Sequence, residues 1–378
     1  MAPLAISASV PSTRATASGR GLAQDSAPRA ESQRPRALPV GLHKTRAAAR
    51  TTLILTQADI ERLIDIPTAI RLVRQAFKTQ ALGQATMPPK LYLNLPEGDF
   101  RAMPAYLARP PACGIKWVNV HPANPARGLP SIMAIIVIND PATGVPLAVM
   151  DGLLITKLRT AAAAAVAAKA LARPGSRVVG LVGCGGQADA QVLALAELFH
   201  LDEVRVWGRL PGEAAQFCAR LRRRLRVRWS PVAGIKACVA QADLIVTITP
   251  SRRPLVMRQW IKPGAHINAI GADAPGKQEL DPQILREALV VVDDRRQAIH
   301  GGELNVPISK KQFFPRQIHA TVGDILLGRK RGRTRADQIT VFDATGLATH
   351  DVALAHESYR LALKSHLGKP IYLFRGLK

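Results

Sequence analysis

One stretch limits the possible folds of this chain more than any other. Residues 177–182 read RVVGLV and residues 183–188 read GCGGQA. The first run is apolar and β-branched, as a strand buried on both faces must be. The second fits G-x-G-x-x-A, a glycine pattern that opens a helix directly after a strand. Gly183 permits the tight turn, Gly185 lets a backbone approach a pyrophosphate, and Ala188 lets helix and strand pack closely. Gly186 and Gln187 complete the loop, and the amides at the helix start offer positive charge to phosphates. The pattern is weak by itself. Its place after a strand and ahead of alternating elements makes it informative. It points to a dinucleotide, with a nucleoside of the S-adenosylmethionine type as the second ligand class.

The alternation runs on. Helical patterns are expected at 186–199 and 213–224. Strand patterns fall at 204–207, 227–229, 243–249, 265–270, 289–292 and 339–342. Strand and helix at this spacing read as βαβ units and a parallel sheet. Ahead of them come a strand at 53–55 and a helix capped by Thr56, with Asp59 three residues on. A second helix, opened by Pro67, runs to about Thr79, with strands at 90–95, 115–120, 132–138 and 147–150. An alanine-rich helix is expected from Leu153 to about Ala172, and a last helix from Leu347 to Ser365. The expected class is α/β, with a Rossmann-type doubly wound parallel sheet over 174–346, and residues 1–50 are expected to be a disordered basic tail.

Charge and cysteines set further bounds. The net charge is +25, and residues 1–50 contribute eight Lys/Arg against two acids. Basic runs recur at 220–228 (RLRRRLRVR) and 329–335 (RKRGRTR). No nucleic-acid motif accompanies them, so the expectation is a solvated basic surface and no nucleic-acid partner. The tail is Arg-rich and acid-poor, which fits either an organellar transit segment or a start assigned too far upstream, the latter favoured. No apolar run approaches the roughly 20 residues that span a bilayer, so no membrane partner is expected. The four cysteines (Cys113, Cys184, Cys218, Cys238) form no CxxC pair. That suits a reducing compartment, and a cytoplasmic location is expected over import. The nine histidines show no HxxxH or HExxH, so no metal is expected. His121 and His266 are read as structural, and Ser251 lacks a nucleophile-elbow context.

The end of the second Rossmann strand bears on cofactor choice. An acid there would hydrogen-bond the ribose 2′-hydroxyl of NAD. Trp207, Gly208 and Arg209 stand there instead. With no carboxylate to repel a 2′-phosphate and Arg209 able to pair with one, NADP(H) is favoured over NAD(H). The plainer reading makes Arg209 a loop residue.

Several segments carry a resemblance. They are 114–128 (GIKWVNVHPANPARG), 139–152 (NDPATGVPLAVMDG), 159–161 (RTA), the GCGGQA turn, 266–280 (HINAIGADAPGKQEL) and 341–346 (VFDATG). Together they resemble the ornithine cyclodeaminase/μ-crystallin family, most nearly its archaeal-type alanine dehydrogenase branch. The resemblance implies an NAD(P)-dependent oxidoreductase, a likeness to homodimers, and an amino acid, 2-oxo acid or imine as substrate, with a second α+β substrate and dimerisation domain built from both chain ends, 51–173 and 347–378. It implies that Asp273 is the catalytic acid/base, and that Lys116 contacts the substrate carboxylate and assists proton transfer. Arg159 becomes the carboxylate clamp and Arg101 a further carboxylate ligand. Met103 lines the pocket, and Thr160, Thr249 and Lys277 lie on the cofactor side. Lys90 falls where cyclodeaminases carry an arginine, which counts against the ornithine-specific reaction. Alanine dehydrogenase is therefore the first reading, with ornithine cyclodeaminase or cyclic ketimine reductase as alternatives. A non-catalytic NADP(H) binder comes last, because it would have no use for Lys116, Arg159 and Asp273 together.

Overall fold

The protein is described by a computed structural model covering residues 51–374. The basic tail expected to be disordered lies outside the described residues. Strand β1 (Thr52–Leu55) runs into Thr56, whose side chain accepts from the Asp59 amide while Asp59 reaches back to the Thr56 amide. This reciprocal cap satisfies two donors that a helix start leaves open, and α1 (Gln57–Leu63) follows. Asp65 caps α2 (Ile66–Ala81), which carries Pro67 in its first turn, where a missing N–H costs nothing.

The next strands are β2 (Ala85–Thr86), β3 (Leu91–Leu95), β4 (Gly98–Ala108), β5 (Pro111–Val120), β6 (Ile132–Asn139) and β7 (Pro146–Asp151). Strands β3 to β7 pair antiparallel in chain order, and β1 joins β7 in parallel. Strand β4, eleven residues long, was not expected from the sequence. Pro104 in its middle argues against a strand. On that edge, however, β3 pairs with Gly98 to Ala102 and β2 with Tyr106 and Leu107. Pro104 falls in the gap, where no ladder bond is needed.

The alanine-rich α3 (Leu153–Leu171) comes next and is buried nearly all round. Alanine's small side chain lets neighbours approach from every side, and α3 touches α2 before it and several of the elements that follow it. These are β8 (Val178–Val182), α4 (Ala188–Ala196), β9 (Glu203–Trp207), α5 (Glu213–Leu221), β10 (Arg228–Pro231), α6 (Ile235–Val239) and β11 (Leu244–Thr247). They continue with β12 (Arg252–Val256), β13 (His266–Ala269), β14 (Gln278–Leu280), α7 (Pro282–Glu287), β15 (Leu289–Val292), α8 (Arg295–Gly301) and α9 (Asn305–Ser309). Last are β16 (Ala320–Thr321), α10 (Val322–Leu326), β17 (Thr340–Asp343), α11 (Ala348–Ser365) and β18 (Lys369–Ile371). Strand β18 returns to pair antiparallel with β1.

The second sheet is wholly parallel, in the order β10-β9-β8-β11-β13-β17-β15-β16. The chain enters at β8, winds outward through β9 and β10, then crosses back to β11 on the other side. That reversal is a topological switch point, and ligands of such sheets bind beyond the strand ends beside it. The glycine turn lies there. Buried side chains run without a break from Leu53 and Met150 of the first sheet, through the alanines of α3, to Leu181 and Phe342 of the second. His266 is fully buried in β13, with Nδ1 2.8 Å from Thr340 Oγ1 and Nε2 3.0 Å from Asn268 Oδ1. No described helix is long and apolar enough to cross a membrane. Among the described residues no cluster of three or more His, Cys, Asp or Glu is arranged to hold a metal ion.

Candidate active site

The glycine turn is shaped by its own backbone. Gly183 has φ +106°, and a Cβ there would lie 2.8 Å from the Ile248 carbonyl oxygen. Gly185 and Gly186 instead face open space, with nothing within 4 Å of an added Cβ. Helix α4 starts at Ala188, later than expected, so Gly183 to Gln187 remain a loop. The Gln187 side-chain Oε1 is buried without a partner. An open glycine loop at a helix start fits the pyrophosphate of a dinucleotide, and the orphaned Gln187 oxygen is an acceptor for one of its hydroxyl or amide donors.

At the end of β9 the sequence reading needs correction. Arg209 is exposed, as a 2′-phosphate ligand would be. A carboxylate is nevertheless present. Glu213, in the first turn of α5, folds back so that Oε2 accepts from the Leu210 amide at 2.9 Å. A Cβ on Gly208 would lie 3.1 Å from that oxygen and 2.7 Å from Cys184 Sγ. Glu213 therefore stands between β9 and the glycine turn. The reversal comes from Pro211 and Gly212, the latter at φ +82°, and brings back an acid that lies beyond the strand in sequence.

Beyond the strand ends lies a cavity of about 230 Å³. Its walls include Lys90, Arg101, Met103, Lys116, Arg159 and Thr160 from the first half, and Gln187, Thr249, Asp273 and Lys277 from the second. The expected site residues thus converge, save for Gly183, Gly185, Gly186, Ala188 and Arg209, which lie outside this cavity.

The inward placement of three residues follows from strand register. In the β4–β5 ladder Met103 faces Lys116 and Arg101 faces Val118, so all four share the inner face. Lys116 is 1% exposed, which demands a partner. Its Nζ lies 2.8 Å from Asp351 Oδ2 and 3.3 Å from Thr156 Oγ1. Arg159 Nε reaches Asp351 Oδ1 at 3.1 Å. Asp351, in the first turn of α11, is fully buried and was not singled out from the sequence. One carboxylate therefore serves two cations. Burial, with Arg159 alongside, pushes the Lys116 amine down to about 7, although Asp351 pulls the other way.

Asp273 has the opposite surroundings. Lys277 Nζ lies 2.5 Å from Oδ1 and Arg101 Nη1 2.9 Å from Oδ2. Burial would raise its pKa, but Lys277, Arg101 and Lys90 together hold the carboxyl well below the usual range. Arg101 also grips Asp99 through Nε and Nη2 and lies 5.2 Å from the centroid of the Tyr92 ring. Lys90 donates to the Thr345 carbonyl, and burial pushes it down to about 8.

Behind these groups lie four buried acids that the sequence did not flag. Glu279 accepts from the Thr249 amide, the Thr249 hydroxyl and the Gly271 amide at 2.7–2.8 Å. Glu303 accepts from the Glu279 and Leu280 amides, and Asp343 from the Glu303 and Leu304 amides. Asp293 accepts from Thr345 and Gly346. Each ties a wall loop to the sheet. Burial raises Glu279 to about 7.

Comparison with known proteins agrees with this geometry. Residues 50–365 match the family described as ornithine cyclodeaminase/mu-crystallin. The chain is 48% identical over 330 residues to alanine dehydrogenase of Archaeoglobus fulgidus, covering 86% of this chain and 99% of that one. It is also similar to the solved structure of an archaeal alanine dehydrogenase dimer with bound NAD (TM-score 0.83, 48% identity, 86% of this chain and 100% of that one). A third similarity is to Thermococcus litoralis Delta(1)-pyrroline-2-carboxylate reductase in complex with NADH and L-proline (TM-score 0.83, 33% identity, 85% and 100%).

Proposed function

This chain belongs to the ornithine cyclodeaminase/mu-crystallin family, and from that premise we propose that it is an NAD(P)-dependent amino-acid dehydrogenase. Its reaction interconverts a small L-amino acid, alanine first, with the 2-oxo acid and ammonia. The observation that carries this reading is the buried Lys116–Asp351–Arg159 triad, whose Lys116 and Arg159 line the same cavity as Asp273. A protein that only stored a dinucleotide would gain nothing from burying so many charges.

The loop 183–188 holds the cofactor pyrophosphate, with Gln187, Thr160, Thr249 and Lys277 on the nicotinamide side. When bound, the nicotinamide takes hydride from the substrate Cα or returns it to an imine. Arg159, held by Asp351 through Nε, keeps its terminal nitrogens for the substrate carboxylate. Lys116, poised near neutrality, takes a proton from the substrate ammonium so that a neutral amine can drive hydride departure. The imine carbon is then open to water. Asp273, firmly anionic between Lys277 and Arg101, accepts a hydrogen bond from that water and aims it. It takes the proton fully only as those cations shift toward the developing charge. The acid–base work expected of Asp273 alone is thereby divided between two residues.

Reduction of a cyclic ketimine uses the same groups without the water, and the similarity to the pyrroline-2-carboxylate reductase favours that as the second reading. A panel followed by NAD(P)H absorbance separates them: L-alanine, pyruvate with ammonia, L-ornithine, and pyrroline- or piperideine-2-carboxylate. Turnover of the first two alone supports the dehydrogenase, and turnover of the cyclic imines alone replaces it with the reductase. Arg209 speaks for NADP(H) and Glu213 for NAD(H), so titration with NADH and NADPH decides. We assign the second sheet to the dinucleotide domain at 174–346 and the first sheet, with α11, to a substrate and dimerisation domain.

A further inference from the structure

His350 lies one residue before Asp351 in the first turn of α11 and is fully buried. It lines the cavity that holds Lys116, Arg159 and Asp273. Neither Nδ1 nor Nε2 has a hydrogen-bond partner among the described residues. Buried polar groups are rarely left so, because the desolvation penalty goes uncompensated. An orphaned ring on a cavity wall implies a ligand that completes it. The Phe77 ring meets the imidazole edge to face at 4.4 Å, which fixes the plane of the ring.

The charge around His350 narrows the ligand. The groups facing it are Arg159, which is cationic, Lys116, and Asp351, which is already committed to those two. Burial, then Arg159, pushes the imidazole down to about 3, so the ring is neutral and offers one N–H donor. Arg159 Nη1 and Nη2 stand beside Gly346, where an added Cβ would lie 2.5 and 3.2 Å from them. No side chain fits between Gly346 and that fork. His350 and the Arg159 fork line the same cavity, so an anion bound by that fork lies in the cavity whose wall includes the neutral imidazole.

We propose that His350 is a substrate-recognition residue that donates a hydrogen bond to the substrate carboxylate beside Arg159. The proposal rests on the reading that the substrate is an amino or 2-oxo acid. The carboxylate is common to all such substrates, so His350 acts on each of them regardless of side chain.

The test uses His350→Leu, which removes the donor, and His350→Gln, which keeps one. Both are compared with the wild-type chain by circular dichroism and NADH binding, so that a folding defect is visible. Pyruvate, and L-alanine, L-serine and L-valine, are then titrated calorimetrically into the cofactor-loaded protein, a readout that needs no turnover. A hydrogen bond to a charged group predicts that His350→Leu weakens all four ligands by a similar factor, about 10–100-fold, with His350→Gln in between. Where turnover is measurable, the loss falls on KM more than on kcat. Unchanged binding overturns the proposal. So does a loss confined to one side chain, which would make His350 a side-chain selector. If His350→Leu fails to fold, His350→Gln decides by the same titrations: an even, smaller loss supports the proposal and wild-type affinity for all four ligands overturns it. If the wild type binds these acids without oxidising any, the dehydrogenase reading fails while the His350 result stands.

Discussion

At the scale of single residues, the division of labour between Lys116 and Asp273 makes separable claims. Lys116 titrates near neutrality because burial destabilises its charge. Only the neutral amine accepts the substrate proton, so kcat/KM for amino-acid oxidation rises as pH increases through about 7. The reductive direction shows the opposite slope. Lys116→Arg keeps a cation but cannot lose its proton there, so the profile flattens and the rate drops. A profile that keeps its shape in this variant would reassign the proton to another group. Asp273→Asn is nearly isosteric and leaves Arg101 and Lys277 in place, but removes the anion that aims water. Cofactor binding should persist while turnover falls by about 10²–10⁴-fold, measured as steady-state kcat. Near wild-type turnover would remove Asp273 from the mechanism. Asp351→Asn has a different signature. It leaves two buried cations without their anion, so thermal stability should drop by several kcal/mol along with activity. Thermal unfolding monitored by circular dichroism reads that loss, and an unchanged Tm would show that the triad contributes little to the fold.

At the scale of elements, what was legible in the sequence depended on whether a local pattern had a local cause. The GCGGQA turn was readable because Gly183 must adopt φ +106° against the Ile248 carbonyl, and only glycine does so freely. Gly183→Ala should therefore weaken NADH binding and lower Tm together, through a backbone shift at the turn. The double-sided burial of β8, β11 and β13 was likewise written in their apolar runs. Strand β4 was hidden by Pro104, whose tolerance depends on which neighbour β4 lacks at that point. Asp351 was hidden for a similar reason. Its partners lie 192 residues away at Arg159 and further back at Lys116, and an acid in a helix's first turn reads as an ordinary dipole partner. Of the other buried acids, Glu279 and Asp343 lie within short strands, Asp293 just after one and Glu303 between two short helices, and their amide partners are set by the tertiary fold and not by any local pattern. Glu213 shows the same limit within one loop, since a two-residue reversal decided whether a carboxylate reached the end of β9.

At the scale of the whole molecule, the outer face of the first sheet makes a testable claim about assembly. Cross-strand partners share a face, so the rows can be read across the register. Leu91, Ala102, Trp117 and Ile135 form one row, and Leu93, Phe100, Asn119 and Met133 the next. Leu91 is 64% exposed, Leu93 55%, Ile135 50% and Met133 40%. The opposite face of the same strands carries Arg101, Met103 and Lys116 into the cavity, and among the described residues no second core covers these apolar rows. A contiguous exposed patch of this kind marks an interaction surface. A second copy of the chain is the partner to test first, since the similar archaeal alanine dehydrogenase is a dimer. Two copies meeting face to face would bury these rows without an open strand edge. Ile135→Asp places a charge at the end of one row, beside Trp117, and in sedimentation velocity should sediment as a monomer where the wild type sediments as a dimer. The cavity lies on the other face, so NADH should still bind to that monomer. A variant that sediments as the wild type does would move the interface elsewhere. A wild-type chain that is itself monomeric at micromolar concentration would leave the apolar rows for a different partner.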